Sequence, residues 1–441
     1  MEEKPIRLCF NRNTFKQVDI PEEDRFLNTL ILGPTGTGKS SLILTPLIYQ
    51  DLVNTNCGVT IIDPKEDLAE KIYELAKELN NRKIVYIDPL DEFCPKINPF
   101  QGETEKIIKN LIKIFAPTFT ISSVAEKQSV DLNRNLLIKT LRLLKTYPSL
   151  CGDNINIKTF SDFISNKHNE ARMKIIKLHE VLKKSKENLE FTDICEWFLF
   201  QYLEPSTGLF DKCDYLRMKV DDLATNEYLS RILTPENGEQ NIVNFDEHLA
   251  QGDIVIINTK NTVLGHLGKT FGEFLMLSFL NSVFRRKHYN KMKKIADLKP
   301  HFLYIDEFPT FSPVLTEMFT QGRSFKVGTH IAVQNRTLLK ICGDEDTRNQ
   351  AFMIESNARN VILFPGLNGE DAEYYSKQFF NLTPSQIMYR PFGQIIYRIV
   401  QNRTIQPPDI GLVFFIDEIP HTDSLKNEFN FDSNEQVIYV E

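Results

Sequence analysis

Gly33-Pro34-Thr35-Gly36-Thr37-Gly38-Lys39-Ser40 follows the short apolar run Phe26–Leu32 and opens a helical pattern from about Lys39. Glycines at these places let the backbone wrap closely round a phosphate, with N–H groups and a helix N-terminus facing the anion. Lys39 is then placed to reach β- and γ-phosphates, Ser40 to ligate Mg²⁺, and Ser41 to extend the phosphate cradle. A second element is His301-Phe302-Leu303-Tyr304-Ile305 ending in Asp306-Glu307. Asp306 is expected to hold Mg²⁺ through water, and Glu307 to act as general base on an attacking water. Gln334 follows the apolar run Val327–Val333 and could sense the terminal phosphate. Arg323, in Gly322-Arg323-Ser324, could stabilise transition-state charge in a neighbouring subunit's site, with Arg359 as its rival. Together these residues predict a nucleoside triphosphate site using ATP and Mg²⁺. A second acidic pair, Asp417-Glu418, follows Leu412–Ile416 near the C-terminus and reads as a structural decoy.

The elements that must position these groups alternate in the first hundred residues. Cys57–Ile62 and Lys83–Ile87 read as strands, with a helix over Glu66–Leu79 between them. Strands separated by helices predict a mostly parallel sheet covered on both faces. From Gly102 to Asn244 helical periodicity dominates, as in Glu105–Phe115, Leu132–Lys145, Met173–Glu187 and Cys195–Leu203. Strand patterns resume at Asp253–Ile257 and recur to Asn360–Phe364. The expected architecture is α/β: a nucleotide-binding domain in two parts, 1–101 and 245–441, interrupted by an all-α insertion over 102–244.

Composition narrows the classes. The 441 residues carry 52 Lys+Arg against 59 Asp+Glu, a net charge of −7, which argues against a surface that coats nucleic acid throughout. A local basic stripe or an assembled channel stays open. Seven scattered cysteines without CxxC form neither a disulfide framework nor a zinc site, and suggest a reducing compartment. The nearly apolar stretch Phe274–Phe284 falls short of the roughly 20 residues a spanning helix needs. The densest basic cluster, Arg285-Arg286-Lys287-His288 on to Lys294, could meet phosphates or an anionic membrane surface, or be a solvated helix end; Lys177–Lys186 reads the same way.

These pieces in this order resemble the coupling ATPases of type IV secretion and bacterial conjugation, a RecA-like family of hexameric motors. The residues carrying the likeness are the Gly33–Ser40 loop with Pro46 seven residues after the lysine, and Ile61-Ile62-Asp63-Pro64-Lys65. Tyr86-Ile87-Asp88-Pro89, Asn98-Pro99, Tyr304-Ile305-Asp306-Glu307-Phe308 and Gly322-Arg323-Ser324 leading to Gln334 complete it. The resemblance implies ATP hydrolysis driving transfer of a relaxase–DNA substrate. It also implies DNA, relaxosome proteins and membrane-anchored channel components as partners, and a homo-hexamer when active. Two departures stand out. Glu66 replaces the glycine common after Asp-Pro-Lys. Only 32 residues precede Gly33 and none of them can span a bilayer, so a cytoplasmic protein recruited to the membrane by a partner is expected. The alternatives are an FtsK/HerA-like DNA translocase, or an ATP-switched adaptor whose helical insertion holds the substrate. In plain physical terms, Pro46 should kink a helix and Asp63-Pro64 should end a strand.

Overall fold

Mostly apolar runs make the central strands. Every residue of Gly58–Asp63 (β4), Ile254–Asn258 (β6), His301–Ile305 (β7) and Val327–Val333 (β8) is buried. Only a sheet covered on both faces hides a strand that completely. The computed structural model describes residues 5–115, 124–185, 188–307, 312–341 and 352–413. Phe308 and the Asp417-Glu418 pair lie outside the described residues.

The chain folds into two compact units, one of Met1–Asp88 with Asn244–Glu441 and one of Pro89–Val243. The first holds an 11-stranded sheet in the order β2-β1-β13-β10-β9-β3-β8-β7-β4-β6-β5. Its remaining strands are Ile6–Asn11 (β1), Gln17–Ile20 (β2), Thr29–Leu32 (β3), Ile84–Ile87 (β5), Asn360–Leu363 (β9), Gln394–Arg398 (β10) and Asp409–Leu412 (β13). Val400–Gln401 (β11) and Thr404–Ile405 (β12) form a separate small hairpin. From β9 to β5 the neighbours run parallel. At the other edge β10, β13, β1 and β2 pair antiparallel. This edge has no counterpart in the sequence expectation, because its strands mix polar residues among the apolar ones and two of them lie before Phe26.

The strand expected over Phe26–Leu32 begins only at Thr29; the backbone turns through Phe26–Asn28, with Leu27 and Asn28 amides bonded to Asp24 and Arg25 carbonyls. Pro46 does not kink a helix interior. Lys39–Leu44 winds as a π-helix, and Pro46 lies in the first turn of the helix Thr45–Val53 that continues it. The Thr45 N–H reaches back five residues to the Ser40 carbonyl, so the wider turn gives the proline ring room.

The helix His266–Lys293 carries the basic cluster, and its Arg286 is interior. Arg286 donates to the carbonyls of Leu249 (2.8 Å), Phe325 (2.9 Å) and Lys299 (2.5 Å), so it ties the fold together and is not offered to phosphates. Arg285 pairs with Asp246 at 2.7 Å.

The second unit is helical, with helices over Thr104–Phe115, Val124–Thr146, Glu170–Ser185 and Asp214–Thr225 among others. Contacts divide the chain at Pro89 rather than at Gly102. The intervening residues are turns without helical periodicity, and Lys96 bridges to Ile242 where the unit's two ends meet. Cys195–Leu203 is not one helix: Leu189–Trp197 ends in a π-helical turn, Phe198–Tyr202. Lys183 lies 3.8 Å from Glu196, which partly neutralises the second basic run.

Candidate functional site

The loop after β3 is built round its glycines. A Cβ on Gly33 would stand 2.5 Å from Phe364 Cβ and 2.8 Å from Thr37 Oγ1, so only hydrogen fits. Gly38 has φ 95°, a left-handed turn that redirects the chain into the π-helix starting at Lys39. Thr37 Oγ1 donates to the Pro34 carbonyl at 2.8 Å and closes the loop. The Lys39 side chain is buried, and its Nζ donates to the Gly33 (2.6 Å) and Pro34 (2.9 Å) carbonyls on the loop's own rim. Burial lowers its pKa, opposed by the carboxylates of Asp306 and Glu307. Ser41 is exposed on the first helical turn.

Sheet order brings the other groups to this loop. Gly33 N–H donates to the Val333 carbonyl at 3.1 Å, so β8 ends beside the loop, and β7 is the next strand. Ser40 Oγ donates to Asp306 Oδ2 at 2.5 Å. Asp306 Oδ1 accepts the Glu307 amide at 2.9 Å. Burial pushes the Asp306 carboxyl above its usual range, against the pull of those two donors. Glu307 sits at φ 48°, where the chain turns sharply off the strand. Gln334 Nε2 donates to Glu307 Oε1 at 3.2 Å. Lys39, Ser40, Asp306, Glu307 and Gln334, distant in sequence, thus converge at the C-terminal ends of three adjacent strands.

Lys65 joins them, and sequence reasoning gave it no role in the site. Its Nζ forms an ion pair with the same Oε1 of Glu307. The turn that delivers it is fixed by Asp63, whose carboxylate accepts the amides of Lys65 (2.8 Å), Leu68 (2.8 Å) and Ala69 (2.9 Å). Asp63-Pro64 does end β4, and it also aims the lysine into the site. The Asp-Pro-Lys spacing was the available signal. At the position after it, Glu66 has φ 85°, a conformation that favours glycine.

Arg323 and Arg359 lie elsewhere. Arg323 is exposed in the short helix Gly322–Phe325, just before β8, whereas Gln334 follows that strand's other end. Seven strand residues span about 23 Å at roughly 3.3 Å each, so Arg323 cannot serve its own chain's loop. Arg359 is likewise exposed at the start of β9.

This donor set fits a Mg²⁺–nucleotide. Among the described residues Lys39 donates to carbonyls that phosphate oxygens can replace, the glycines leave room at the loop, and the Ser40–Asp306 pair supplies hard oxygen ligands. Ser40 and Asp306 would hold the metal, which supplies charge neutralisation on phosphate oxygens when bound.

Fold and site together define a P-loop NTPase-type domain with a mostly parallel sheet. Residues 29–132 match the model of the ATPase family associated with various cellular activities (AAA). Among curated proteins no sequence match is found. Among solved structures the chain is similar to the plasmid coupling protein TrwB bound to a non-hydrolysable GTP analogue, with TM-score 0.66, 13% identity, and 96% of this chain and 92% of that one covered. TrwB with ADP and Mg²⁺ aligns with TM-score 0.64 at 13% identity, covering 96% of each chain. VirB4 of Thermoanaerobacter pseudethanolicus aligns with TM-score 0.57 at 15% identity, covering 94% of this chain and 97% of that one. The chain has the fold of the conjugative coupling protein. No helix among the described residues is long and apolar enough to cross a membrane.

Proposed function

We propose that the chain is an ATP-hydrolysing coupling protein of a conjugative type IV secretion system, which recruits a relaxase–DNA substrate and drives its transfer. The observation that carries this reading is the meeting of Lys39, Ser40, Asp306, Glu307 and Gln334 at one set of strand ends within a coupling-protein fold. Lys39 neutralises phosphate charge, Ser40 and Asp306 hold Mg²⁺, and Glu307, oriented by Gln334, takes a proton from the attacking water. Arg323 acts on the site of the next protomer in a homo-hexamer, which ties turnover to assembly. DNA, relaxosome proteins and membrane-anchored channel components are the partners, and one of the last recruits the cytoplasmic chain to the membrane.

The test is the ATPase rate against protein concentration, with and without single-stranded and duplex DNA. A steep concentration dependence with DNA stimulation is expected. A flat, DNA-indifferent rate would replace the motor by the ATP-switched adaptor. Lys39→Ala should weaken ATP binding, whereas Glu307→Gln should bind ATP and turn over about 10²–10⁴-fold more slowly. Equal ATP affinity in Lys39→Ala and the wild type would sink the nucleotide assignment.

A further inference from the structure

The groups that face a terminal phosphate all lie on one side of β3. Gln334 ends β8, and Asp306 and Glu307 follow β7 beyond it. A nucleotide whose terminal phosphate sits there must carry its other end toward β9 and β10. A cleft of about 620 Å³ opens on that side, touching the phosphate loop at Gly36 and Thr37. Its far walls are the turn after β9, at Pro365-Gly366, and the segment Met388–Phe392 before β10. Ligand pockets commonly hold roughly 300–1,000 Å³, so the cleft is large enough for a base and its ribose.

The walls are built, not incidental. Gly366, at φ 84°, donates its N–H to the Met388 carbonyl at 2.9 Å, which clasps the two loops together. A Cβ on Gly366 would already touch Pro34 at 3.5 Å, so the clasp abuts the phosphate loop. The chemistry of the walls is aromatic and cationic. Tyr389 is 76% exposed and Phe392 50% exposed, two large rings kept out of the core on either side of Arg390 and Pro391. The Arg390 Nε is buried without a hydrogen-bond partner. Burial and the nearby Arg12 both lower the Arg390 pKa. Exposed rings beside a guanidinium that forms no ion pair among the described residues stack well on a heteroaromatic base.

We infer that this cleft is the nucleobase site, in which the base of a nucleoside triphosphate stacks on Tyr389 and Phe392 with the Arg390 guanidinium over its ring system. The inference rests on the phosphate-loop reading above. Binding of ADP and of inorganic tripolyphosphate, each with Mg²⁺, separates the two. Titration calorimetry on the full chain should show Tyr389→Ala weakening ADP about tenfold, a typical loss for one stacking ring. Tripolyphosphate affinity should stay at the wild-type value, which also reports an intact fold, and Tyr389→Phe should retain ADP. Unchanged ADP affinity in both Tyr389→Ala and Phe392→Ala would overturn the inference and leave the phosphate loop standing. Wild-type protein that binds neither ligand would overturn both.

Discussion

Lys65 and Glu307 form an ion pair between the ends of neighbouring strands, and Gln334 addresses the same carboxylate oxygen. The proposed general base is therefore already held by two donors. An ammonium on that oxygen competes with water for it, so Lys65→Ala should raise basal hydrolysis. Both side chains are partly exposed, and such a pair is worth about 0.2–1 kcal/mol. The rise should thus not exceed about fivefold. Steady-state kcat for the variant decides it: a fall would mean that Lys65 serves the reaction instead of restraining the base.

The separation of Arg323 from its own phosphate loop makes a different prediction. Arg323→Ala should leave nucleotide binding by dilute protein unchanged and reduce assembled hydrolysis about 10³-fold or more, as removal of an arginine finger does. Mixing Arg323→Ala with Glu307→Gln subunits should restore part of the activity, since some interfaces then carry both groups. Mixed hexamers that recover nothing would count against action in trans.

Glu66 holds a left-handed backbone by its side-chain bonds. It accepts from Lys260 Nζ at 2.6 Å and from Thr262 Oγ1 at 2.5 Å, while Lys260 also meets Glu70 at 2.9 Å and Asp88 at 3.4 Å. Glu66→Ala loses these bonds and keeps the strain; Glu66→Gly loses them and relieves it. The glycine variant should be the more stable by about 1 kcal/mol or more, because Glu66 stands just before the helix Asp67–Leu79, at a cap position where glycine is already preferred to alanine. Urea midpoints for the two variants test the order, and a more stable alanine would refute the strain.

Acidification should separate folding from metal binding. Burial raises the pKa of the Asp306 carboxyl above its ordinary value, and Asp63 shifts in the same direction for the same reason. In the window between the ordinary and raised values the folded chain binds more protons than the unfolded one. Stability without metal therefore falls as pH rises through it. Mg²⁺ needs the ionised carboxylate, so its affinity rises over the same window. The thermal shift given by Mg²⁺–ADP should shrink on acidification in the wild type and stay small throughout in Asp306→Asn. A wild-type shift that persists unchanged down to the ordinary carboxylate range would remove Asp306 from the metal site.

Much of the site is legible in the chain because phosphate chemistry is local. Eight contiguous residues suffice to shape the loop, since Gly33 and Gly38 answer steric demands set within a few residues. Asp306-Glu307 and Gln334 could be placed because buried parallel strands read as apolar runs whose ends mark one edge of the sheet. The helical character of the second unit shows in its 3.6-residue period.

What the chain does not show is pairing. Neither hydropathy nor spacing states that β8 lies beside β3 and β7 next beyond it, yet that order alone sets Ser40 against Asp306 across 266 positions. Strands such as β1, β2 and β13 mix polar residues among the apolar ones and do not read as buried runs, and only their partners make them a sheet edge. Arg286 reads as part of a basic surface until its carbonyl partners, brought in from three other segments, bury it. Lys65 is the same lesson within the site. Sequence by itself determined which residues could handle phosphate and metal, because those demands act over a few bonds. Tertiary structure alone decided which of them meet, because contacts between distant segments depend on strand order and register.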